Sequence, residues 1–510
     1  MAAFVLSNIT GLIRQILVSH AFGTGAEIDA FNAAARLPDL LFSLVAGGAL
    51  ASAFIPTFTG ALTGDDRPEA WQLASSVGNL ITIILTITSA LAALFAPQIV
   101  RHVIYTLVPN QDPGQLALTT SLLRIMLISP AIFGISGLLM GILNVHQIFL
   151  LPALAPTMYW LGMIFGVLLL VPRWGIHGLA WGAVLGAGLH LSVQIPALRK
   201  VSGRYFATLG LHLPAVREVA RLMAPRLLGV AVVQLNFIVN TMLALAQPEG
   251  SQTAIQTAWA VMTMPQVVIA QAIAIAALPT FSNQVARGRL DEMRGSLAAT
   301  LRGVIFLALP ASLGLILLRQ PVIEFLLQGG QFDSHSTDLV AWALLWYAAG
   351  LVGHSVVEIL SRAFYAMHDT KTPVFVGVAA MSLNLGFSFA FSTLFLRLGW
   401  APHGGLALAN SLATALEMGG LLVLMHRRLN GLDGRQILGG VVQATVATLA
   451  MSLVLWAWLN QTTNQTAWLV AAAGVALGGG AYALMVLLLG VQEAWGVGRT
   501  LAGILKRTAL

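Results

Sequence analysis

Composition and patterning make this chain an all-α polytopic membrane protein with about fourteen transmembrane helices. Only 9% of its 510 residues are charged and 57% are hydrophobic, against roughly 25% charged in a soluble chain. The mean hydropathy is +0.84. The apolar residues come in continuous runs, whereas the strands of a membrane β-barrel alternate polar and apolar. The basic residues gather between those runs, where helical membrane proteins carry them. The net charge of +7 is therefore read as basic loops, and no nucleic-acid partner is expected. With no cysteine, disulfides and thiolate metal sites are excluded.

A spanning helix needs about 20 mostly apolar residues. Fourteen stretches qualify, near 2–20, 28–59, 73–107, 116–144, 150–171, 177–198, 219–247, 253–283, 298–327, 338–367, 373–396, 404–425, 437–459 and 467–490. The first has no basic n-region and no small-residue cleavage site, so it does not read as a cleaved signal peptide. Its missing basic lead-in predicts a natural start farther upstream. Charge then sorts the connections. One alternating set holds Arg67, the group from Arg199 to Arg226, the group from Arg287 to Arg302, Lys371, Arg427, Arg428, Arg435, Arg499, Lys506 and Arg507. The other set holds only Arg101, Arg173, Arg319 and Arg397. That bias predicts a multi-pass membrane protein with both termini in the cytoplasm.

The chain divides into an N-terminal six-helix lobe (1–200), a cytoplasmic or interfacial linker (201–218), a C-terminal six-helix lobe (219–428) and two additional transmembrane helices (429–510). The run AVREVARLMAPRLLG in the basic connection has helical spacing and is expected to lie at the interface before entering the bilayer. The lobes carry a repeat. ALASAFIPTF at Ala49–Phe58 and AIAIAALPTF at Ala272–Phe281 share six of ten residues, at an offset of 272 − 49 = 223. His177-Gly178-Leu179-Ala180 and His403-Gly404-Gly405-Leu406-Ala407 recur at nearly the same offset. The offset spans six helices, so both lobes run in the same orientation, related by a pseudo-two-fold axis along the membrane normal. Such parallel repeats fit a transporter with a central site.

No enzyme motif is present: no P-loop, no His-Glu-x-x-His, no Gly-x-Ser-x-Gly elbow. His177 and His403 read as repeated helix-entry residues, and no metal or cofactor is expected. The informative residues are charges inside apolar runs, which cost about 2.5–3.5 kcal/mol each on insertion scales and so face a partner or a water-filled cavity. Arg14, Asp29 and Arg36 cluster in the first two spans, a stretch also broken by Pro38, Pro56 and Gly47–Gly48. We read them as lining a polar pathway. Asp39, Arg124, Glu358, Arg362 and Glu417 are candidates for the same cavity or for helix-pairing contacts. Arginine suits a pyrophosphate because its planar guanidinium donates two parallel hydrogen bonds and stays charged.

These residues carry a resemblance. GLIRQ, Phe22-Gly23, Asp29-Ala30-Phe31, RLPDLL at Arg36–Leu41 and GALASAFIP at Gly48–Pro56 resemble the MviN/MurJ family. So do LLRIMLISP at Leu122–Pro130, ILN…PALAP at Ile142–Pro156, LPTFS at Leu278–Ser282, QGGQFD at Gln328–Asp333 and RAFYAMHDTKTPV at Arg362–Val374. The matches run in order over nearly the whole chain, within the multidrug/oligosaccharidyl-lipid/polysaccharide exporter superfamily. The resemblance implies two six-helix lobes plus two C-terminal helices forming a lipid groove. It also implies a bacterial inner-membrane location and flipping of lipid II, the undecaprenyl-pyrophosphate-linked peptidoglycan precursor, from the cytoplasmic to the outer leaflet. Its substrate partner would be that lipid in the bilayer, and its protein partners cell-wall synthesis proteins.

The sequence departs from the family pattern at charged positions. Basic residues that relatives carry after the PD-LL turn are Phe42 and Ser43 here, their acidic residue before GA is Gly47, and their eighth-helix arginine is Ala260. The acid that follows the first-helix arginine is Gln15. Some relatives have a sodium site with aspartates on helices seven and eleven; the matching region shows Asn240, Asn384 and Ser388, so Asn240 and Asn384 are candidate ion-site remnants. The expectation is an alternating-access flippase. Arg14 and Arg36 would bind pyrophosphate or sugar-peptide acids, and Asp29 would pair with an arginine in one state and release it in another. An ion-coupled exporter of drugs or other polyprenyl-linked glycolipids is the alternative, and a scaffold that recruits cell-wall enzymes is a third reading.

Overall fold

Long apolar runs fold as helices because hydrocarbon leaves backbone groups no partner but one another. The computed structural model describes residues 2–45, 49–63, 67–201, 203–462 and 465–490. Gly47–Gly48, Ser202, Arg499, Lys506 and Arg507 lie outside them. The described residues sort into two units, Met1–Thr253 with Gly329–Asp333, and Ala254–Gln328 with Ser334–Leu510.

The first unit contains α1 (Ala2–Phe22), α2 (Ala26–Val45), α3 (Ala49–Thr63), α4 (Arg67–Leu94), α5 (Pro113–Met126), α6 (Ser129–Val145), α7 (Leu150–Phe165), α8 (Ile176–Ser192) and α9 (Pro214–Leu245). The first residues of α10 (Ser251–Gln266) also belong to it. Its core includes Phe54, Phe58, Leu73, Leu122 and Leu123, all fully buried. Phe54 stacks on Phe58 at 5.0 Å, and Phe58 meets the Trp71 ring edge-on at 5.8 Å. Gly162 of α7 lies against Gly186 of α8, and Gly166 just beyond α7 lies against Gly182, backbone to backbone. Small residues four apart permit this approach, and close packing is what holds helices together where lipid removes the hydrophobic drive.

Two irregular segments complete the unit. The QGGQFD segment turns back on itself, pairing Gly329 with Phe332, and the Gln331 amide donates to the His20 carbonyl at the end of α1 at 2.8 Å. Gly330 sits at φ +57° with the His20 carbonyl where a Cβ would go, which accounts for one glycine of the motif. The second segment is an extended strap, residues 203–211, laid along α4. Phe206 N donates to Ser75 Oγ at 3.1 Å, and Asn79 Nδ2 donates to the Phe206 and Thr208 carbonyls at 3.2 and 2.9 Å. The run AVREVARLMAPRLLG, expected to be helical and to lie at the interface before the bilayer, is the first half of α9, which continues to Leu245.

The second unit holds most of α10, then α11 (Ala272–Ala286), α12 (Leu290–Leu327), α13 (Ser334–Ala349), α14 (Leu351–Ala366), α15 (Lys371–Arg397), α16 (His403–Arg428), α17 (Gly434–Gln461) and α18 (Ala467–Leu488). One cluster buries Phe281, Ile359, Phe364 and Met425. Another buries Leu318, Met451 and Leu455 where α17 and α18 pack on α12, with Tyr482 Oη donating to the Phe306 carbonyl at 2.6 Å.

The repeat reappears in the element boundaries. α3 and α11 are both 15 residues long, with Pro56 and Pro279 eighth in each. Their starts and ends differ by the same 223 residues (272 − 49 and 286 − 63), as do the starts of α4 and α12 (290 − 67). Phe58 and Phe281 are buried at 0% and 1% exposure. His177 and His403 stand at the entries of α8 and α16.

Among the described residues ten helices are long and apolar enough to span a membrane, or eleven if the α13–α14 pair, bent by 46°, is one span. The expected count of fourteen is not reached on that measure. The other expected spans are present as helices that fall short of it. α2 carries Glu27, Asp29, Arg36, Asp39 and Pro38, and among the described residues α3 and α9 contribute the shorter apolar stretches Ala53–Leu62 and Val233–Leu245.

Candidate functional site

α2 places Asp29, Asn32, Arg36 and Ser43 on one face, because steps of three, four and seven residues return to the same side of a helix. That face is zipped to the descending α9 and the start of α10. Ser43 Oγ accepts from Gln234 at 2.6 Å, Arg36 Nε donates to Thr241 Oγ1 at 2.9 Å, and Asn32 Nδ2 donates to Thr253 Oγ1 at 3.0 Å. The Arg36 guanidinium also lies 6.0 Å over the Phe237 ring.

Asp29 is buried and serves as a cap. Its carboxylate accepts from Gly250 N at 2.8 Å, Thr253 N at 2.8 Å and Thr253 Oγ1 at 2.6 Å. The two amides are unpaired backbone donors at the N-terminus of α10, which a carboxylate satisfies well. Glu249 returns the arrangement, accepting from Ala26 N at the start of α2 at 2.7 Å. Each helix start is thus capped by an acid from the other chain segment. In this state the expected arginine partner of Asp29 is replaced by a helix N-terminus. Nothing in a single apolar run signals a donor 224 residues away, although the turn residues Pro248-Glu249-Gly250-Ser251 mark a helix start.

Arg14 stands apart from that zipper. Its guanidinium lies 4.7 Å over the Trp160 ring. Gly11, one turn earlier on α1, leaves room for the indole, since a Cβ there would stand 3.3 Å from Trp160 Nε1. Arg14 Nε is buried with no hydrogen-bond partner among the described residues. Tyr159, beside Trp160, stands near both Asp39 and Arg14, and Asp39 has Arg36 as its charge neighbour. An aromatic row continues from Trp160 to Tyr159 (4.9 Å), Phe133 (5.3 Å) and Phe42 (4.8 Å). Sequence reading missed Tyr159, Trp160 and Phe133, which look like ordinary membrane aromatics. The same row shows what Phe42 and Ser43 do in place of basic residues: one packs in the aromatic row, the other ties α2 to α9.

The remaining candidates are dispersed. Arg124 Nε donates to the Ala93 carbonyl at 3.1 Å. Glu358 and Arg362 pair with each other at 2.7 Å across one turn of α14, as helix-surface charges do. Asn240 Nδ2 donates to the Asn236 carbonyl and Oδ1 at 3.0 and 2.9 Å. Asn384 is buried in the second unit. No group of three His, Cys, Asp or Glu side chains with metal-binding spacing occurs among the described residues.

Residues 18–476 match the family described as Lipid II flippase MurJ. The chain belongs to that family. The lipid II flippase MurJ of Burkholderia cenocepacia is 30% identical over 434 residues, covering 84% of this chain and 82% of that one. A probable lipid II flippase MurJ of Vibrio cholerae is 29% identical over 515 residues, covering 96% and 95%. A solved lipid II flippase MurJ in an inward closed conformation superposes with a TM-score of 0.83 at 24% identity, covering 96% of this chain and 98% of that one. An inward-facing multidrug resistance MATE transporter of the MOP superfamily shares the fold, with a TM-score of 0.68 at 15% identity over 84% and 96%. The all-α polytopic architecture is thus that of MurJ and MATE proteins, and the chain is a multi-pass inner-membrane protein of a transporter family.

Proposed function

We propose that this chain flips lipid II from the cytoplasmic to the outer leaflet by alternating access, with Arg14 as the principal anion contact. One observation supports that role: a guanidinium 4.7 Å over the Trp160 ring with a buried Nε–H that has no hydrogen-bond partner among the described residues. A donor held in place in this way is preorganised for an oxyanion such as a pyrophosphate, because the ordering cost is met before the ligand arrives. Arg36 contributes charge from α2 while its Nε holds Thr241, and Asp39 balances Arg36 when no substrate is bound. Asp29 keeps the starts of α2 and α10 together. The row Phe42–Phe133–Tyr159–Trp160 offers ring faces to the saccharide or prenyl part of the substrate, where relatives offer charge. Both termini lie in the cytoplasm in this reading, and cell-wall synthesis proteins are its neighbours.

The test is rescue of a host depleted of its own lipid II flippase, with accumulation of lipid II in the inner leaflet measured directly. Wild type is expected to restore growth and clear the lipid, and Arg14→Ala at matched membrane levels to fail. Failure of well-expressed wild type would overturn the substrate assignment. Full rescue by Arg14→Ala/Arg36→Ala would overturn the site.

A further inference from the structure

A cavity of about 710 Å³ opens between α4, α6 and the strap, and none of the charged-site residues lines it. Its walls include Trp71, Ile83, Leu138, Leu139 and Leu209, and Arg204 stands among the lining residues. The volume lies in the range of small-molecule sites. The space is built, because the strap is held in place by its bonds to Ser75 and Asn79, and Tyr205 Oη adds a third bond at Asn79 by donating to Oδ1 at 3.0 Å. α4 and α6 both belong to membrane spans. Beyond the cavity the α4 face continues outward as Ile84, Ile87 and Leu91, each about half exposed, as a surface against acyl chains would be.

Charge identifies the occupant. Arg199, Lys200 and Arg204 fall within six residues, and no acid occurs from Arg199 to Leu213. The exposed Arg204 guanidinium lies 5.6 Å over the Phe206 ring. Trp71 and Tyr205 are the amphipathic aromatics found at headgroup depth. Short basic segments beside a span attract anionic lipid headgroups. An apolar cavity gives water too few partners to be a good filling.

We infer that this cavity is an anionic glycerophospholipid site, with one acyl chain under the strap and the phosphate on Arg204. The bound lipid would fasten the strap, and through it the start of α9, to α4. The inference does not depend on what the protein transports, and its readout is lipid retention.

The experiment is native mass spectrometry of the delipidated full-length protein, titrated with phosphatidylglycerol or phosphatidylcholine of identical chains. One phosphatidylglycerol is expected to be retained at about tenfold lower concentration than phosphatidylcholine, roughly 1.4 kcal/mol. Arg204→Glu, a surface change, is expected to abolish that preference. Ile83→Trp at the half-exposed rim is expected to weaken retention of both lipids, and Leu139→Trp to do so more strongly. Equal retention of the two lipids by wild type would overturn the inference. So would unchanged retention in Ile83→Trp, which would place the lipid elsewhere. Displacement by glycerol 3-phosphate alone would reduce the site to a headgroup contact and overturn the acyl-chain assignment.

Discussion

Two buried charges on neighbouring helices do different work. Arg14 is held by an aromatic face, and Asp29 by three donors at a helix start. Arg14→Lys is therefore expected to support little flipping at matched expression, because lysine keeps the charge and loses both the planar stack and the forked donors. Activity close to wild type in Arg14→Lys would show that charge alone suffices. Asp29→Ala is expected to lower stability by about 1–2 kcal/mol, the range for a lost N-cap, seen as a lower thermal midpoint in detergent. The two residues share no contact, so the Arg14→Ala/Asp29→Ala double variant is expected to lose the sum of the single effects. A double variant more stable than Asp29→Ala would reveal the charge pair that the sequence suggested. The sequence exposed both residues, because a charge in an apolar run is conspicuous. Their partners were hidden, since Trp160 lies on another helix and Thr253 follows Asp29 by 224 residues.

At the scale of elements, the motifs shared with the family divide into packing and turn chemistry. The IPTF and LPTF segments place Phe58 and Phe281 in the cores, and the repeat they announced recurs in matching helix boundaries. QGGQFD is a docking turn, and Gly330→Ala is expected to destabilise the first unit by more than a surface change would. The substitution combines a strained positive φ with a clash at the His20 carbonyl. A thermal midpoint equal to wild type would contradict that account. The glycine contacts of α7 and α8 were readable only as small residues at suggestive spacing; their backbone approach needed the fold. The strap was not readable at all, because residues 203–211 have neither helical nor strand periodicity and are shaped by Ser75 and Asn79. Asn79→Ala removes both bonds it donates to strap carbonyls and the one it accepts from Tyr205. It is expected to release the strap, measurable as faster amide exchange at Phe206 and Thr208, with the helices unchanged.

For the whole molecule, the duplicated order of helices and the sorting of basic residues predict one orientation. The connections from Arg199 to Arg226 and from Arg287 to Arg302 carry ten of the 26 Lys and Arg residues, while the alternate connections hold only Arg101, Arg173, Arg319 and Arg397. Basic loops are retained in the cytoplasm, because moving them across the bilayer opposes both membrane potential and insertion energetics. An even number of spans, as proposed, would then return both termini to that side. The chain has no cysteine, so single cysteines report cleanly. A cysteine at Asn110, exposed in the loop after Arg101, is expected to react with a membrane-impermeant thiol reagent in intact cells. A cysteine at Ser202 is expected to react only after permeabilisation. The reversed pattern would invert the protein. It would move Arg204 away from the anionic cytoplasmic leaflet and remove the charge argument for the lipid under the strap, while leaving the family assignment, which rests on residues 18–476, untouched.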